Sequence, residues 1–195
     1  MKKVISTALI LIVLDQALKF WIKTHMFLGQ EFKIFDWFII HFTENNGMAF
    51  GIEFGGQLGK NILTIFRVIV VSFGIRYIYK LTKEKLPNGA LLSLGFIIGG
   101  AIGNIIDSIF YGVIFNDSYL KLASLMPEGG GYSRFLEGKV VDMFYFPIIN
   151  THFPSWMPFL ADQHFIFFRP VFNIADAGIS VGIFILIIFY RNFFK

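Results

Sequence analysis

Residues 90–107 read ALLSLGFIIGGAIGNIID. Continued to Tyr111, this run has the roughly 20 mostly apolar residues that cross a hydrocarbon layer as a helix. Within it Gly95, Gly99, Gly103 and Asp107 recur at four-residue steps, so they share one helix face. The glycines form a ridge for close backbone approach by a neighbouring helix, the small-residue mode of membrane packing. Asp107 continues that ridge and therefore faces protein, with Asn104 one turn before it. A carboxylate inside hydrocarbon is costly and needs a reason. The residues alone leave two open, a structural polar clamp and a catalytic group.

Composition generalises the reading. Of the 195 residues 55% are hydrophobic and only 15% charged, with 26 Phe and a mean hydropathy of +0.66. A soluble domain carries about 25% charged residues, so this chain lacks the polar groups to cover its apolar surface. It is expected to be an integral membrane protein, which excludes a soluble enzyme, a disordered chain and a collagen-like rod. With no Cys, disulfides, thiolate metal sites and Cys nucleophiles are excluded as well. The basic balance, 17 Lys+Arg against 13 Asp+Glu, fits Lys and Arg gathered on the cytoplasmic side and not a nucleic-acid partner.

Working outward from 90–111, three more segments qualify as spans: about 4–21, 62–79 and 171–190. The first begins like a signal peptide, with Lys2 and Lys3 before an apolar run. No A-x-A cleavage site follows, and Asp15, Gln16 and Lys19 interrupt its far end, so it reads as a retained span. Segments 1–3, 76–88 and 191–195 hold eight basic residues, while 23–60 and 112–170, over four times as long together, hold seven basic residues and nine acids. The bias places both termini and the 76–88 loop in the cytoplasm and the two long connections outside. The expected architecture is a single integral membrane domain over 1–195, all-α with four transmembrane helices. A small extracytoplasmic β-rich segment lies within 29–56, where Phe32-Lys33-Ile34 alternates before a glycine-rich stretch. Segment 112–139, with Pro127 and Gly129-Gly130-Gly131, reads as a mobile loop. Segment 143–170 is rich in aromatics and reads as an interfacial outer loop.

The remaining polar residues are few. Asp15 and Lys19 lie four apart on one helix face and can pair, as a structural ion pair or a functional one. Asn173 and Asp176 lie three apart at the outer end of the fourth span, with Ser180 one turn deeper. Asp142 stands between two valines and an aromatic run, where an acid is either badly placed or working. Gly178-Ile179-Ser180-Val181-Gly182 matches G-x-S-x-G by letter, but that elbow needs a strand-turn-helix and a later His, and all four His precede it. His25, His41, His152 and His164 have no zinc-like spacing, and neither a P-loop nor a dinucleotide fingerprint is present. A small transporter or proton relay would also carry intramembrane Asp and Lys. Here the acids gather at one interface instead of lining a path across, with only Arg67 ionisable in the middle of the second span.

In order along the chain these residues spell a pattern. It comprises Asp15-Gln16-x-x-Lys19, Asn45-Asn46-Gly47-Met48-Ala49-Phe50, the run Gly99-Gly100-Ala101-Ile102-Gly103-Asn104-Ile105-Ile106-Asp107, Val140-Val141-Asp142-Met143, and Phe172-Asn173-Ile174-Ala175-Asp176-Ala177. Each motif alone is weak. Together, from residue 15 to about 182, the chain resembles the lipoprotein signal peptidases (signal peptidase II), membrane aspartyl endopeptidases of bacteria. The resemblance implies a catalytic dyad of Asp142 and Asp176, with Asp15, Lys19, Asn45, Asn104, Asp107 and Asn173 supporting the fold or positioning substrate. It implies a prolipoprotein substrate bearing a diacylglyceryl-cysteine, cleaved on the N-terminal side of that cysteine at the outer face of the cytoplasmic (inner) membrane. No metal or cofactor is expected; the expected partners are the prolipoprotein and membrane lipid, with the chain acting as a monomer. Two departures stand out. The family usually continues G-N-x-x-D with Arg, whereas Ser108 follows here, and the segment between Asp107 and Asp142 is longer than expected.

Overall fold

The computed structural model describes residues 1–47, 56–84 and 86–191. Motif residues 48–50, the glycine-rich stretch as far as 55, and the basic residues Lys85 and Lys195 lie outside the described residues. Helices α1 (Lys2–His25), α2 (Gly56–Leu81) and α3 (Asn88–Ile106) are followed by a π-turn (Asp107–Tyr111), a one-turn α4 (Gly112–Ile114) and finally α5 (Ile174–Phe189). Among the described residues three helices are long and apolar enough to cross a membrane: α1, α2 and the continuous stretch Asn88–Ile114. α5 is apolar but shorter, at 16 residues. It begins later than the expected span at 171 because Val171–Phe172 pair as a strand. Asn173, in an extended conformation, then caps the helix by accepting the backbone N–H of Asp176 at 2.9 Å. Lys23 and Lys60, which the sequence assigns to outer segments, lie inside α1 and α2.

The glycine ridge packs against α1. A Cβ on Gly95 would stand 2.9 Å from the Val4 carbonyl oxygen, and one on Gly99 2.8 Å from the Ala8 Cα. Gly100, off the ridge, does the same for α5: a Cβ there would overlap the Ala175 carbonyl. α3 is thus held between two helices through backbone contact that only glycine permits. Near the start of α1 Val4, Ile78, Leu94 and Ile98 form one small core; near its end Ile22, Met26, Phe42, Tyr111, Phe115, Ala123, Val141 and Met143 form another.

Above the helices lies an antiparallel four-stranded sheet, ordered β1-β2-β3-β6. β1 (Glu31–Phe35) and β2 (Phe38–Asn45) fall inside the 29–56 segment where strands are expected. β3 (Val140–Tyr145) and β6 (Val171–Phe172) complete the sheet, and β4 (Ile149–His152) with β5 (His164–Phe167) forms a separate two-stranded hairpin between them. The pairing sets Thr43 opposite Asp142 and Asn45 opposite Val140.

The expectation of a mobile loop over 112–139 is corrected. Backbone N–H groups of Gly138, Leu136 and Ser133 donate to the carbonyls of Ser108, Ile109 and Gly112 at 2.9, 3.1 and 2.9 Å. Those carbonyls belong to the π-turn and α4, where the regular helix ladder is broken and acceptors are left to be satisfied. Phe115, Ser118 and Ala123 are buried, the Ala123 N–H donates to the Lys23 carbonyl at 3.1 Å, and a Cβ on Gly138 would overlap the Asp107 carbonyl. The polar, glycine-rich composition that reads as mobility serves close packing onto a helix end.

Gly100→Val tests the sandwich. Overpacking a closed helix contact costs about 1–3 kcal/mol, so the variant is expected to unfold at a clearly lower temperature in detergent. Gly129→Val, where nothing lies within 4 Å of an added Cβ, should behave as wild type.

Candidate active site

A single buried ammonium organises the end of the helix bundle that lies beneath the sheet. Lys19 of α1 meets Asp15 Oδ2 at 2.8 Å and Asp107 Oδ2 at 2.7 Å, and donates to Asn104 Oδ1 at 2.9 Å. All three ionic groups are closed to solvent. A buried pair with one partner missing leaves an uncompensated charge, so the set holds together as a unit. Gln16 Nε2 adds bonds to Asp107 Oδ1 at 2.8 Å and Asp15 Oδ2 at 3.2 Å, and Tyr111 donates its hydroxyl to Gln16 Oε1 at 3.1 Å.

Each of the two carboxylates also grips a backbone. Asp15 Oδ1 accepts the Ala175 N–H at 2.9 Å, and Asp107 Oδ2 accepts the Val141 N–H at 3.2 Å. Ala175 precedes Asp176, and Val141 precedes Asp142. The ion cluster therefore holds the start of α5 and the strand β3 one residue upstream of the two acids that the sequence singles out.

Those acids are joined by two amides. Asn173 donates Nδ2 to Asp142 Oδ1 at 2.6 Å, and its Oδ1 accepts the Asp176 N–H at 2.9 Å. A backbone N–H can only donate, which fixes the amide's orientation. Asn104 receives Lys19 and the Asn173 amide (3.1 Å) on Oδ1, so its Nδ2 is turned to Asp176 Oδ1 at 2.7 Å. Asn45 approaches Asp142 Oδ2 from β2 at 3.4 Å. Asp142 is buried and Asp176 half-buried. Burial first, and then the neighbouring Asp176 carboxylate, raises the Asp142 pKa to about 7, against the opposing pull of the Lys19 charge and the two asparagine amides.

All eight residues expected at the site, Asp15, Lys19, Asn45, Asn104, Asp107, Asp142, Asn173 and Asp176, thus come together in one network. Ser180 lies mid-helix and exposed, outside it. Ser108, standing where the resemblance leads one to expect arginine, turns its hydroxyl back to the Asn104 carbonyl at 2.9 Å. Arg67 of α2 instead donates to the Gly47 carbonyl and interacts electrostatically with Asp176.

Sequence reasoning missed Lys23 and Glu44. Lys23 is fully enclosed, meets Glu44 Oε1 at 2.6 Å and Ser118 Oγ at 2.7 Å, and lies 5.0–5.8 Å from the ring centres of Phe42, Phe115 and Tyr132. The signal was present: Asp15, Lys19 and Lys23 continue one helix face in steps of four. Among the described residues no group of three or more His, Asp or Glu side chains is placed to hold a metal ion.

Several apolar helices define a multi-pass membrane protein, and at one end of its bundle the Asp142 and Asp176 carboxyls are each held by an asparagine amide. Two solved structures of bacterial membrane enzymes, obtained by the in meso method, share the fold. The first has a TM-score of 0.60 at 21% identity, covering 98% of this chain and 89% of the other. The second has a TM-score of 0.61 at 23%, covering 96% and 92%. The sequence profile of the family described as "Signal peptidase (SPase) II" matches residues 7–192. The chain belongs to that family. Lipoprotein signal peptidases of Porphyromonas gingivalis and Amoebophilus asiaticus are 50% and 39% identical to it, over 97% and 95% of this chain and 83% and 76% of theirs.

Among the described residues Asp107 bonds to Lys19, Gln16 and the Val141 backbone, as expected of a group that holds the site together. Asp107→Asn is expected to cost about 3 kcal/mol of stability by breaking a buried pair, read as a lower unfolding temperature together with lost activity. Full stability without turnover would move Asp107 into the reacting set.

Proposed function

We propose that this chain removes signal peptides from prolipoproteins as an aspartyl endopeptidase, with Asp142 and Asp176 as its catalytic pair. Family membership carries the first part of the reading. The observation that supports the second is the pair of carboxyls linked through two amides, Asn173 donating to Asp142 Oδ1 and Asn104 to Asp176 Oδ1, with Asp142 raised to about 7 by burial and by Asp176. Two such groups in a poorly solvated site share one proton. The ionised member takes a proton from water, which attacks the scissile carbonyl. The protonated member polarises that carbonyl and then protonates the leaving amine. The substrate is a precursor whose cysteine carries diacylglycerol, cleaved N-terminal to that cysteine. Its lipid chains stay in the bilayer while the peptide reaches the boundary.

The same reading makes 1–195 one domain with four spans in the cytoplasmic membrane, α5 as the fourth, both termini inside and the sheet outside. At about 1.5 Å per residue, the 16 residues of α5 reach about 24 Å, short of a hydrocarbon core of about 30 Å. The outer end of α5 then lies at depth within the protein, beneath the sheet, where substrate can meet it without crossing the headgroups. The enzyme acts as a monomer.

Purified protein with a diacylated prolipoprotein in detergent, followed by mass, tests the activity. Asp142→Asn and Asp176→Asn should each abolish cleavage at normal stability, and the double variant should be hardly worse than either, because a catalytic unit is non-additive. Because the Asp142 carboxyl is raised to about 7, the pH–rate profile should be bell-shaped, with a basic limb that falls from about 7 upward as the shared proton is lost. More than a few per cent activity in either single variant would refute the pair.

Arg67 supplies the positive charge that Ser108 lacks. Arg67→Gln is expected to lower kcat/KM about tenfold, or 1.4 kcal/mol, and Ser108→Arg to restore part of it. Wild-type turnover in Arg67→Gln would refute this role.

A further inference from the structure

The β4–β5 hairpin has no part in the site, yet it is inserted between the two acids: it leaves the sheet after β3, which carries Asp142, and returns into β6, two residues before α5. From Met143 to Ala161 the chain holds no Asp, Glu, Lys or Arg. Beyond the sheet, from Ile148 onward, its large apolar side chains are for the most part turned outward. Phe159 is 96% exposed and Trp156 79%, and Ile148, Ile149, Phe167 and Phe168 are exposed around them. A loop destined for water does not hold out an uncharged aromatic tip, whereas Trp and Phe with uncharged polar neighbours are the composition of the membrane–water boundary. Geometry identifies which surface is within reach. The base of the hairpin is Phe144 paired with Phe172 and Tyr145 with Val171, and one residue beyond Phe172 stands the cap of the apolar helix α5. The arm therefore starts beside the end of an apolar helix, within a chain length of the bilayer that surrounds the bundle.

We propose that residues 147–170 form an interfacial arm whose Trp156–Phe159 tip sits in the headgroup–acyl boundary of the surrounding bilayer, beside the mouth of the site. The occupant of this surface is lipid. A second copy of the chain, or the substrate's own signal segment, would be the other ways to cover it. This location is independent of which residues cut the peptide, so it can fail while the peptidase reading stands.

The chain has three Trp, and Trp21 and Trp37 are both exposed, so Trp21→Phe with Trp37→Phe leaves Trp156 as a sole reporter. In vesicles of phosphatidylcholine and phosphatidylglycerol, lipids brominated near the headgroup end of the acyl chain should quench Trp156 at least twofold, at any protein-to-lipid ratio. Quenching by aqueous iodide with none from brominated lipid would overturn the proposal. Protection from iodide that appears only at high protein density, or only on adding a signal peptide, would overturn it in favour of a second copy or of substrate. Because the chain has no Cys, a second measurement avoids the Trp replacements. Phe159→Cys in vesicles should react with a charged maleimide about tenfold more slowly than Lys121→Cys in the outer lobe, and equal rates would again refute the arm. Phe159→Asp should weaken the lipid quenching of Trp156 while leaving cleavage of a detergent-presented substrate within twofold of wild type.

Discussion

The Lys19 ammonium is the constraint on which the sheet-bearing half of this molecule depends. It sits where no solvent reaches, so its charge must be met by protein, and it is met by Asp15 from its own helix and Asp107 from α3. Each carboxylate gives the ammonium one oxygen and keeps acceptor capacity for other donors. The remaining lone pairs take the N–H groups of Ala175 and Val141, which carry α5 and β3 into position. Satisfying one buried charge thus fixes the relative placement of four elements. Helix packing alone could not do so, since between lipid-embedded surfaces there is little hydrophobic force to choose among arrangements.

The glycines make that arrangement reachable. An ammonium on α1 can lie between Asp15 and a carboxylate on α3 only if the two backbones come close, and Gly95, Gly99 and Gly103 remove the side chains that would hold them apart. At Gly103 a Cβ would stand 2.9 Å from the Asp15 carboxylate. The ridge and the ion pair are therefore one device: steric access on one side, electrostatic demand on the other.

Much of this was legible in the amino-acid sequence because its signals are periodic or costly. Gly95, Gly99, Gly103 and Asp107 announce themselves by spacing, and Asp15, Lys19 and Asp176 by standing in apolar runs. What escaped reading depends on tertiary context. Lys23 looks like the first basic residue of an outer segment; only the fold surrounds it with Phe42, Phe115 and Tyr132 and supplies Glu44 from β2. Residues 112–139 look mobile because glycine and polar residues mark loops, yet here they answer the open carbonyls of a π-turn that no sequence rule places. Val171–Phe172 reads as the start of a span and is a strand, because two residues carry too short a pattern to separate the two.

The geometry also explains why the cluster and the proposed catalytic pair are separated by amides. An ammonium in direct contact with a carboxylate favours its ionised form, and Lys19 makes such contact with Asp15 and Asp107. Were it to touch Asp142 or Asp176 in the same way, both would be driven to ionise and no proton would be left to share. Instead it is linked to Asp176 through Asn104, and to Asp142 through Asn104 and Asn173 in turn. An amide donor steadies a carboxyl's position while carrying no net charge, so burial and mutual repulsion still prevail at Asp142. The charge needed to build the site is kept at least one side chain away from the groups that the proposed mechanism requires to exchange a proton.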